Sequence, residues 1–428
     1  MKRVTCFVLK VASRCNLNCS YCYMYNLGDK TYLDQPKFMT LETITALAER
    51  LQAYCKNADI GSVQIVFHGG EPLLLGREYF QDCLEIFRQT APAVEFSYII
   101  QTNGVNLDRD WYEWLNANKV KVGISIDGPV RFHDAYRVFH NGKGSYDQVA
   151  AAVRLGVGNG LIGILSVLNI AIPVGEYYQE MKSLSIKSLN LLFPDGHYDK
   201  LPEAFDKSRF GNDDYTPFGD WLIELFLIWK KDKGRPAIKL FENLIAMLLG
   251  EDRIGNQAFG IRKNGVAVIE TNGGVEVVDS LRACYEGITR NDINLHTNKI
   301  EDIFENDVFD VYYHAHEMVC EQCSNCPIYE MCGGGFLGSR FANKTGFDNP
   351  TIYCKDIIRL TAFIQNDLID GLPADSVSQT GVVRLSYEQI IQDLKKPASV
   401  KIKGEVKKKL TSFKQPDSYV PEKRTSTI

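Results

Sequence analysis

One stretch constrains this chain more than any other: Cys15-Asn-Leu-Asn-Cys19-Ser-Tyr-Cys22, directly after the apolar run Val4–Val11. Three thiolates on one short loop can hold three irons of a [4Fe–4S] cube and leave the fourth iron without a protein ligand. An iron with an open position can bind a substrate or cofactor, as an open catalytic zinc does. A structural site would be closed by four protein ligands. Zinc ribbons use two CxxC pairs, and a redox CxxC has a single pair. Taken alone, the trio favours iron–sulphur over zinc or over cysteines that merely fill a core.

A length of 428 residues allows two domains, one of them a barrel of about 200–250 residues. The net charge of −5 argues against a general nucleic-acid binder, whose surface is usually basic. No stretch approaches the roughly 18 consecutive apolar residues of a membrane span. The first residues, with Lys2 and Arg3 before a short strand-like run, show no export signal. In such a chain twelve cysteines read as metal or catalytic ligands rather than disulfides, and the expected compartment is a reducing cytoplasm.

Nearly continuous apolar runs alternate with amphipathic segments through the first half. The expected strands are Cys6–Val11, Ser62–Phe67, Glu95–Gln101, Val120–Ile126, Gly160–Ile170 and Ser188–Phe193. Helical patterns lie between them at Leu41–Ala53, Glu78–Gln89, Arg109–Asn116, Tyr146–Gly156 and Gly175–Leu184. Continuously apolar strands belong to a parallel sheet covered on both faces. The pattern stops near Phe193, so six units fit an open, partial (β/α)6 barrel better than a closed ring of eight. The cysteine trio then sits on the rim formed by the carboxyl ends of the strands, where such folds place their active sites.

Further helices are expected at Phe218–Lys231 and Ile238–Leu249, and a hairpin around Asn272-Gly273-Gly274. Five cysteines fall between Cys320 and Cys354, in a second, small domain, after the α/β barrel, that needs metal to hold its loops. The resulting division is 1–235 for the barrel, 236–258 for a linker helix, 259–372 for the cysteine-rich domain and 373–428 for a basic extension expected to be mobile, the alternative being docking to an acidic peptide or to the body of the protein.

CxxxCxxC after a first strand in a six-unit α/β chain resembles the radical S-adenosylmethionine enzymes. His68-Gly69-Gly70-Glu71-Pro72 looks like their GGE motif. By resemblance, the backbone of Gly69 and Gly70 and the Glu71 carboxylate hold the methionyl ammonium. Gln101-Thr102-Asn103-Gly104, Gly123 to Pro129, and His133-Asp134-x-x-Arg137 also match. The resemblance assigns Asn103 to the cofactor site and Ser125 and Arg137 to the methionyl carboxylate. Asn169, at the end of strand five, is a candidate for the adenosine side or simply a turn cap. The chemistry so implied is one-electron cleavage of S-adenosylmethionine at the open iron, giving a 5′-deoxyadenosyl radical that takes a hydrogen atom from the substrate.

Cys323, Cys326, Cys332 and Cys354 offer four thiolates, enough to saturate a [4Fe–4S] cluster, although spacing alone serves zinc equally well. The arrangement resembles the SPASM domain appended to radical peptide maturases. A full SPASM domain carries two auxiliary clusters. Here Phe336 stands where a further cysteine is expected, and Val278 precedes Asp279 where another ligand is expected. The resemblance therefore implies one auxiliary [4Fe–4S] cluster, with Cys320 and Cys284 as substitute ligands or buried thiols. It also implies that Asp279 is a proton acceptor; an Asp that ends a strand and starts a turn is the structural alternative.

Phe193 to Asp199, Phe218 to Trp221, Val278 to Leu281 and Gly346 to Cys354 are similar to the three-residue cyclophane synthases. That resemblance implies a C–C cross-link between a β-carbon and an aromatic side chain of a ribosomally made precursor peptide. It implies an electron donor such as flavodoxin or ferredoxin, with no nucleic-acid or membrane partner. Asp195 and His197, after strand six, are then expected to contact the peptide. The alternative chemistries are formylglycine formation, as in anaerobic sulfatase maturation, and thioether formation.

Overall fold

The computed structural model describes residues 2–157, 162–251, 254–373, 375 and 382–415. Six strands follow in chain order: β1 (Cys6–Ala12), β2 (Ser62–Gly69), β3 (Glu95–Thr102), β4 (Lys121–Ser125), β5 (Ile162–Val167) and β6 (Ser188–Leu192). Each pairs in parallel with the next, for example Val8 beside Val66 and Ile99 beside Lys121. Gly160, included in the expected fifth strand, lies outside the described residues.

The sheet is open and runs on at both edges. A two-residue β7 (Ala237–Ile238) pairs in parallel with β6. At the other edge β8 (Val266–Ile269) lies parallel to β1, with Val8 beside Val268, and β9 (Val275–Glu276) returns antiparallel. The sheet therefore passes through both expected domain boundaries, at 235 and at 258. β1 becomes an interior strand, which explains why Phe7, Leu9 and Val11 are fully buried.

Helices cover the sheet where amphipathic spacing meets a capping residue. Leu41–Ala58 starts at Thr40, whose hydroxyl accepts the Thr43 N–H (3.2 Å), and buries Ile44, Leu47 and Leu51. Arg109–Asn118 starts at Asp108, which accepts the Trp111 N–H (2.8 Å). Such caps satisfy donors that a helix cannot pair internally. Among the described residues no helix is long and apolar enough to cross a membrane. The core continues from the barrel into the cysteine-rich segment: the Phe193 and Phe218 rings lie 4.6 and 5.1 Å from that of Tyr353.

Where described, the extension follows the alternative expected for it: it is docked on the body of the protein, in two short helices, Tyr387–Asp393 and Gly404–Thr411. Tyr387, Ile390, Ile391, Leu410 and Phe413 are buried. The Leu410 carbonyl accepts the Phe347 N–H (2.9 Å), and the Phe413 and Phe347 rings are 5.3 Å apart. A few apolar residues spaced between lysines are enough to anchor the segment, although its composition reads as solvated. Leu410→Ala should weaken this docking by about 2–5 kcal/mol. Protease cleavage within 382–415 should then accelerate while the barrel stays protected. Unchanged cleavage would mean that the contact does not hold the segment.

Candidate active site

The loop after β1 is built from turns that aim the three thiols inward. Cys22 N–H donates to the Cys19 carbonyl (3.0 Å) and Asn26 N–H to that of Cys22 (2.8 Å). Asn18 and Ser20 donate to the carbonyls of Val138 (2.7 Å) and Tyr136 (3.1 Å), tying the loop to the chain after β4. Cys15, Cys19 and Cys22 line a cavity of about 200 Å³ together with Gly69, Gly70, Asn103, Ser125 and Arg137. Residues far apart in sequence thus meet at the carboxyl ends of β1 to β4.

The paired glycines serve this assembly first through the backbone. Gly69 has φ +132°, and a side chain there would collide with the Ala12 carbonyl; one on Gly70 would collide with Arg14. The close approach lets Gly70 N–H donate to Ala12 (2.7 Å) and Glu71 N–H to Arg14 (3.0 Å), immediately before Cys15. Glu71 differs from expectation. Its carboxylate does not line the cavity: it accepts the Leu73 N–H (2.9 Å), the Thr102 hydroxyl (2.7 Å) and the Asn103 N–H (2.8 Å). Glu71 pins the end of β3 to the GGE turn instead of facing a ligand.

Asn103 Nδ2 donates to Asn16 (2.7 Å) and lies 3.7 Å from the Cys15 sulphur; Ser125 accepts from Gln101 (3.1 Å). Arg137 Nη1 donates to the Tyr21 hydroxyl (2.8 Å) and sits 3.9 Å from Asp127. Arg137 Nε is buried with no partner. An orphaned guanidinium donor on a cavity wall fits a carboxylate ligand, which would satisfy it. The three thiols fit a four-iron cube. Among the described residues no three His, Cys, Asp or Glu side chains converge on a single-ion site, whereas a cube binds each thiolate through a separate iron. Burial pushes the Cys22 thiol up to about 11, so the metal charge must displace its proton. These residues therefore fit both groups implied by the resemblance.

A second cavity, about 500 Å³, adjoins the first and shares Tyr21, Asp127, Val167 and Asp195 with it. Asn169 lines this second cavity, with its Oδ1 accepting the Ala171 N–H (3.0 Å), away from the cofactor-candidate residues. Asp195 faces both spaces, and burial pushes its carboxyl up to about 7. His197 lines neither. Its Nδ1 accepts the Asp199 N–H (3.3 Å) and its ring packs 5.2 Å from Phe341, so it holds a turn rather than meeting a substrate.

Asp279 stands just behind the first cavity. It forms an ion pair with Lys10, and its Oδ2 accepts the hydroxyl of Tyr23 (2.6 Å), which does line the cavity. Lys10 is wholly buried in β1, 3.2 Å from His68 Nδ1. Burial lowers the Lys10 ammonium to about 7, while Glu270 opposes the shift. Beside it, Arg282 bridges Glu270 (2.7 Å) and Glu276 (2.8 Å), all three buried. Sequence reading missed Lys10, Tyr23 and this network. A lysine inside an otherwise apolar strand was the available signal, because lysine is almost never fully buried unless paired.

The cysteine-rich region holds a separate cavity lined by Cys323, Cys326, Cys332 and Cys354. Its Gly333-Gly334-Gly335 turn has φ of +56°, +79° and +75°, backbone that favours glycine. Arg340 fixes that turn by donating to the carbonyls of Gly333 (2.9 Å), Gly334 (2.8 Å) and Gly335 (2.6 Å). Cys320 sits 3.6 Å from Cys323. Cys284 is elsewhere, against the Gly338 carbonyl (3.7 Å), so it is not placed to replace one of the four.

The raised Asp195 carboxyl yields a pH dependence. A folded-state pKa near 7 against an ordinary value near 3.8 means that the folded protein binds the extra proton. Stability should then be fully present at low pH and fall as pH rises toward 7. Asp356, also pushed up to about 7 by burial, adds to the same fall. Urea midpoints at pH 5 and pH 8 should differ less in Asp195→Asn than in the wild type. An equal difference would show that Asp195 is not held protonated.

A family model described as the radical SAM superfamily matches residues 9–185. The chain is similar to the cysteine-type anaerobic sulfatase-maturating enzyme of Clostridium novyi, 26% identical over 83% of this chain and 93% of that protein. It is likewise similar to the serine-type anaerobic sulfatase-maturating enzyme of Bacteroides thetaiotaomicron, 27% identical over 64% of this chain and 68% of that protein. Among solved structures, native anSMEcpe with bound AdoMet aligns with a TM-score of 0.71 at 23% identity, covering 86% of this chain and 98% of that one. SuiB of Streptococcus suis bound to precursor peptide SuiA aligns with a TM-score of 0.51 at 16% identity, covering 79% and 73%. Three thiols, a paired-glycine turn and an unsatisfied arginine thus gather at the carboxyl ends of a parallel sheet, within residues 9–185, the part of the chain that matches the radical SAM superfamily.

Proposed function

We propose that this protein is a radical SAM enzyme that oxidises the β-carbon of a residue within a polypeptide, in the manner of sulfatase maturation, where a cysteine or serine side chain becomes formylglycine. Its principal support is Asp279, a buried carboxylate linked through Tyr23 to the cavity that bears the three thiols. Similarity to sulfatase-maturating enzymes over most of the chain supports a polypeptide substrate. When bound, S-adenosylmethionine and the cluster held by Cys15, Cys19 and Cys22 supply hydrogen-atom abstraction. Gly69, Gly70, Asn103, Ser125 and Arg137 orient the cofactor. Asp195 lies where the two cavities join and is the candidate substrate contact. The substrate radical left by hydrogen-atom abstraction must lose one electron, which an auxiliary cluster would accept, and one proton, for which Asp279, held by Lys10, is the candidate acceptor. Cys323, Cys326, Cys332 and Cys354 hold one auxiliary [4Fe–4S] cluster in a SPASM-type domain at 259–372, following the barrel of 1–235 and the linker of 236–258. The working compartment is the cytoplasm, with a flavodoxin or ferredoxin as electron donor.

A second reading is cyclophane formation in a precursor peptide. One observation favours it: Phe336 and Val278 occupy positions expected to supply ligands of another auxiliary cluster, and Cys284 stands apart from the thiol cavity. In that reaction the carbon radical joins an aromatic ring, and one electron and one proton then leave.

Coexpression with a candidate peptide separates the two products. An aldehyde that reacts with hydroxylamine marks formylglycine; loss of two hydrogens with an altered aromatic residue marks the cross-link. Anaerobically reconstituted protein should hold about 8 irons per chain, as two four-iron cubes require. Cys19→Ala should lose 5′-deoxyadenosine formation. Asp279→Asn should keep that formation and lower product at least ~10²-fold; undiminished product would remove Asp279 from the reaction.

A further inference from the structure

The chain is acidic overall, at −5, yet between Lys395 and Gln415 it carries eight lysines against one glutamate. The docked extension holds this charge in a fixed place. Asn325, between Cys323 and Cys326, accepts the backbone N–H groups of Ser399 (3.0 Å) and Val400 (2.9 Å) and donates to the Val400 carbonyl (3.0 Å). Leu394 lines the thiol cavity itself. Leu410 and Phe413 anchor the far end on Phe347. Lys395, Lys396 and Lys409 are used in ion pairs with Asp213, Asp393 and Asp310. Among the described residues, Lys401, Lys403, Lys407, Lys408 and Lys414 form no ion pair, and all five are exposed. Two of them, Lys407 and Lys414, have Asp348 as their near acidic neighbour.

A solvated lysine run needs no anchors, whereas this one is fastened at both ends around the rim of a thiol cavity. We propose that the exposed lysines of 401–414 form the docking surface for a small, acidic one-electron carrier protein, seated over the cavity of Cys323, Cys326, Cys332 and Cys354. The inference rests on that cavity holding an auxiliary cluster. Complementary charge of this kind speeds encounter and sets orientation, and it weakens as salt screens it.

Binding of a purified flavodoxin to the full-length, anaerobically reconstituted protein tests the proposal. Calorimetric titration at low and at 0.5 M salt should show an affinity that falls steeply with salt. Reversing four charges together (Lys401→Glu, Lys403→Glu, Lys407→Glu, Lys408→Glu) should weaken binding at least ~10-fold and flatten the salt dependence. Iron content and thermal midpoint should match the parent, since these side chains are exposed. Lys119→Glu with Lys121→Glu, at the opposite end of the sheet, should leave binding unchanged. Equal binding by the fourfold variant, equal weakening by the control, or displacement of flavodoxin by the substrate peptide would overturn the proposal. If both proteins hold about 4 irons per chain instead of 8, the auxiliary-cluster reading fails and the docking proposal with it; full iron with indifferent binding removes only the docking proposal.

Discussion

A buried ion pair ties the two halves of this molecule together at the site of chemistry. Lys10 comes from the middle of β1, the strand that leads directly into the cysteine loop. Asp279 comes from the turn after β9, which the cysteine-rich half contributes to the same sheet. Neither side chain has water to fall back on, so the direct contact supplies Asp279 with a buried cation, while Lys10 also feels the carboxylates of Glu270 and Glu276. The pair also sets what the cavity can do. Tyr23, immediately after the third thiol, reaches Asp279 because Lys10 holds the carboxylate there.

Around this point the site is assembled by backbone more than by side-chain recognition. The GGE turn packs so tightly on residues 12–14 that glycine is required, and Glu71 spends its carboxylate locking β3 to that turn. The cysteine loop leans on the chain after β4 through two backbone bonds. Rigid strand ends thus fix three thiols, one amide and one guanidinium around a shared space. A reactive radical intermediate demands such a frame, since loose walls would let it react with the protein.

Much of this was legible in the residues because buried parallel strands are marked by continuous apolar runs. The six strands, the alternating helices and the hairpin at Asn272-Gly273 lie where their patterns place them. The three thiols, Asn103, Ser125 and Arg137 do gather, since each follows a strand on the same rim. What stayed hidden depended on long-range geometry. Glu71 reads as a ligand group by type, yet its orientation follows from the Thr102 and Asn103 donors one strand away. His197 looks like a substrate contact until Asp199 and Phe341 are seen to hold it. The extension reads as solvated because so few of its side chains are apolar, but Leu410 and Phe413 fill space prepared by Phe347. Lys10 carried a signal of its own, an ammonium in an apolar strand, without naming its partner.

The most direct test of this account is a double-mutant cycle on the pair, read in the metal-free protein by urea unfolding at pH 7.5. Lys10→Met and Asp279→Asn are measured singly and together. Removing the lysine alone should cost about 3–5 kcal/mol, because it strands a buried carboxylate, and the double variant should recover a large part of that loss. Strictly additive effects would contradict the account, because they would mean that the two groups do not depend on each other.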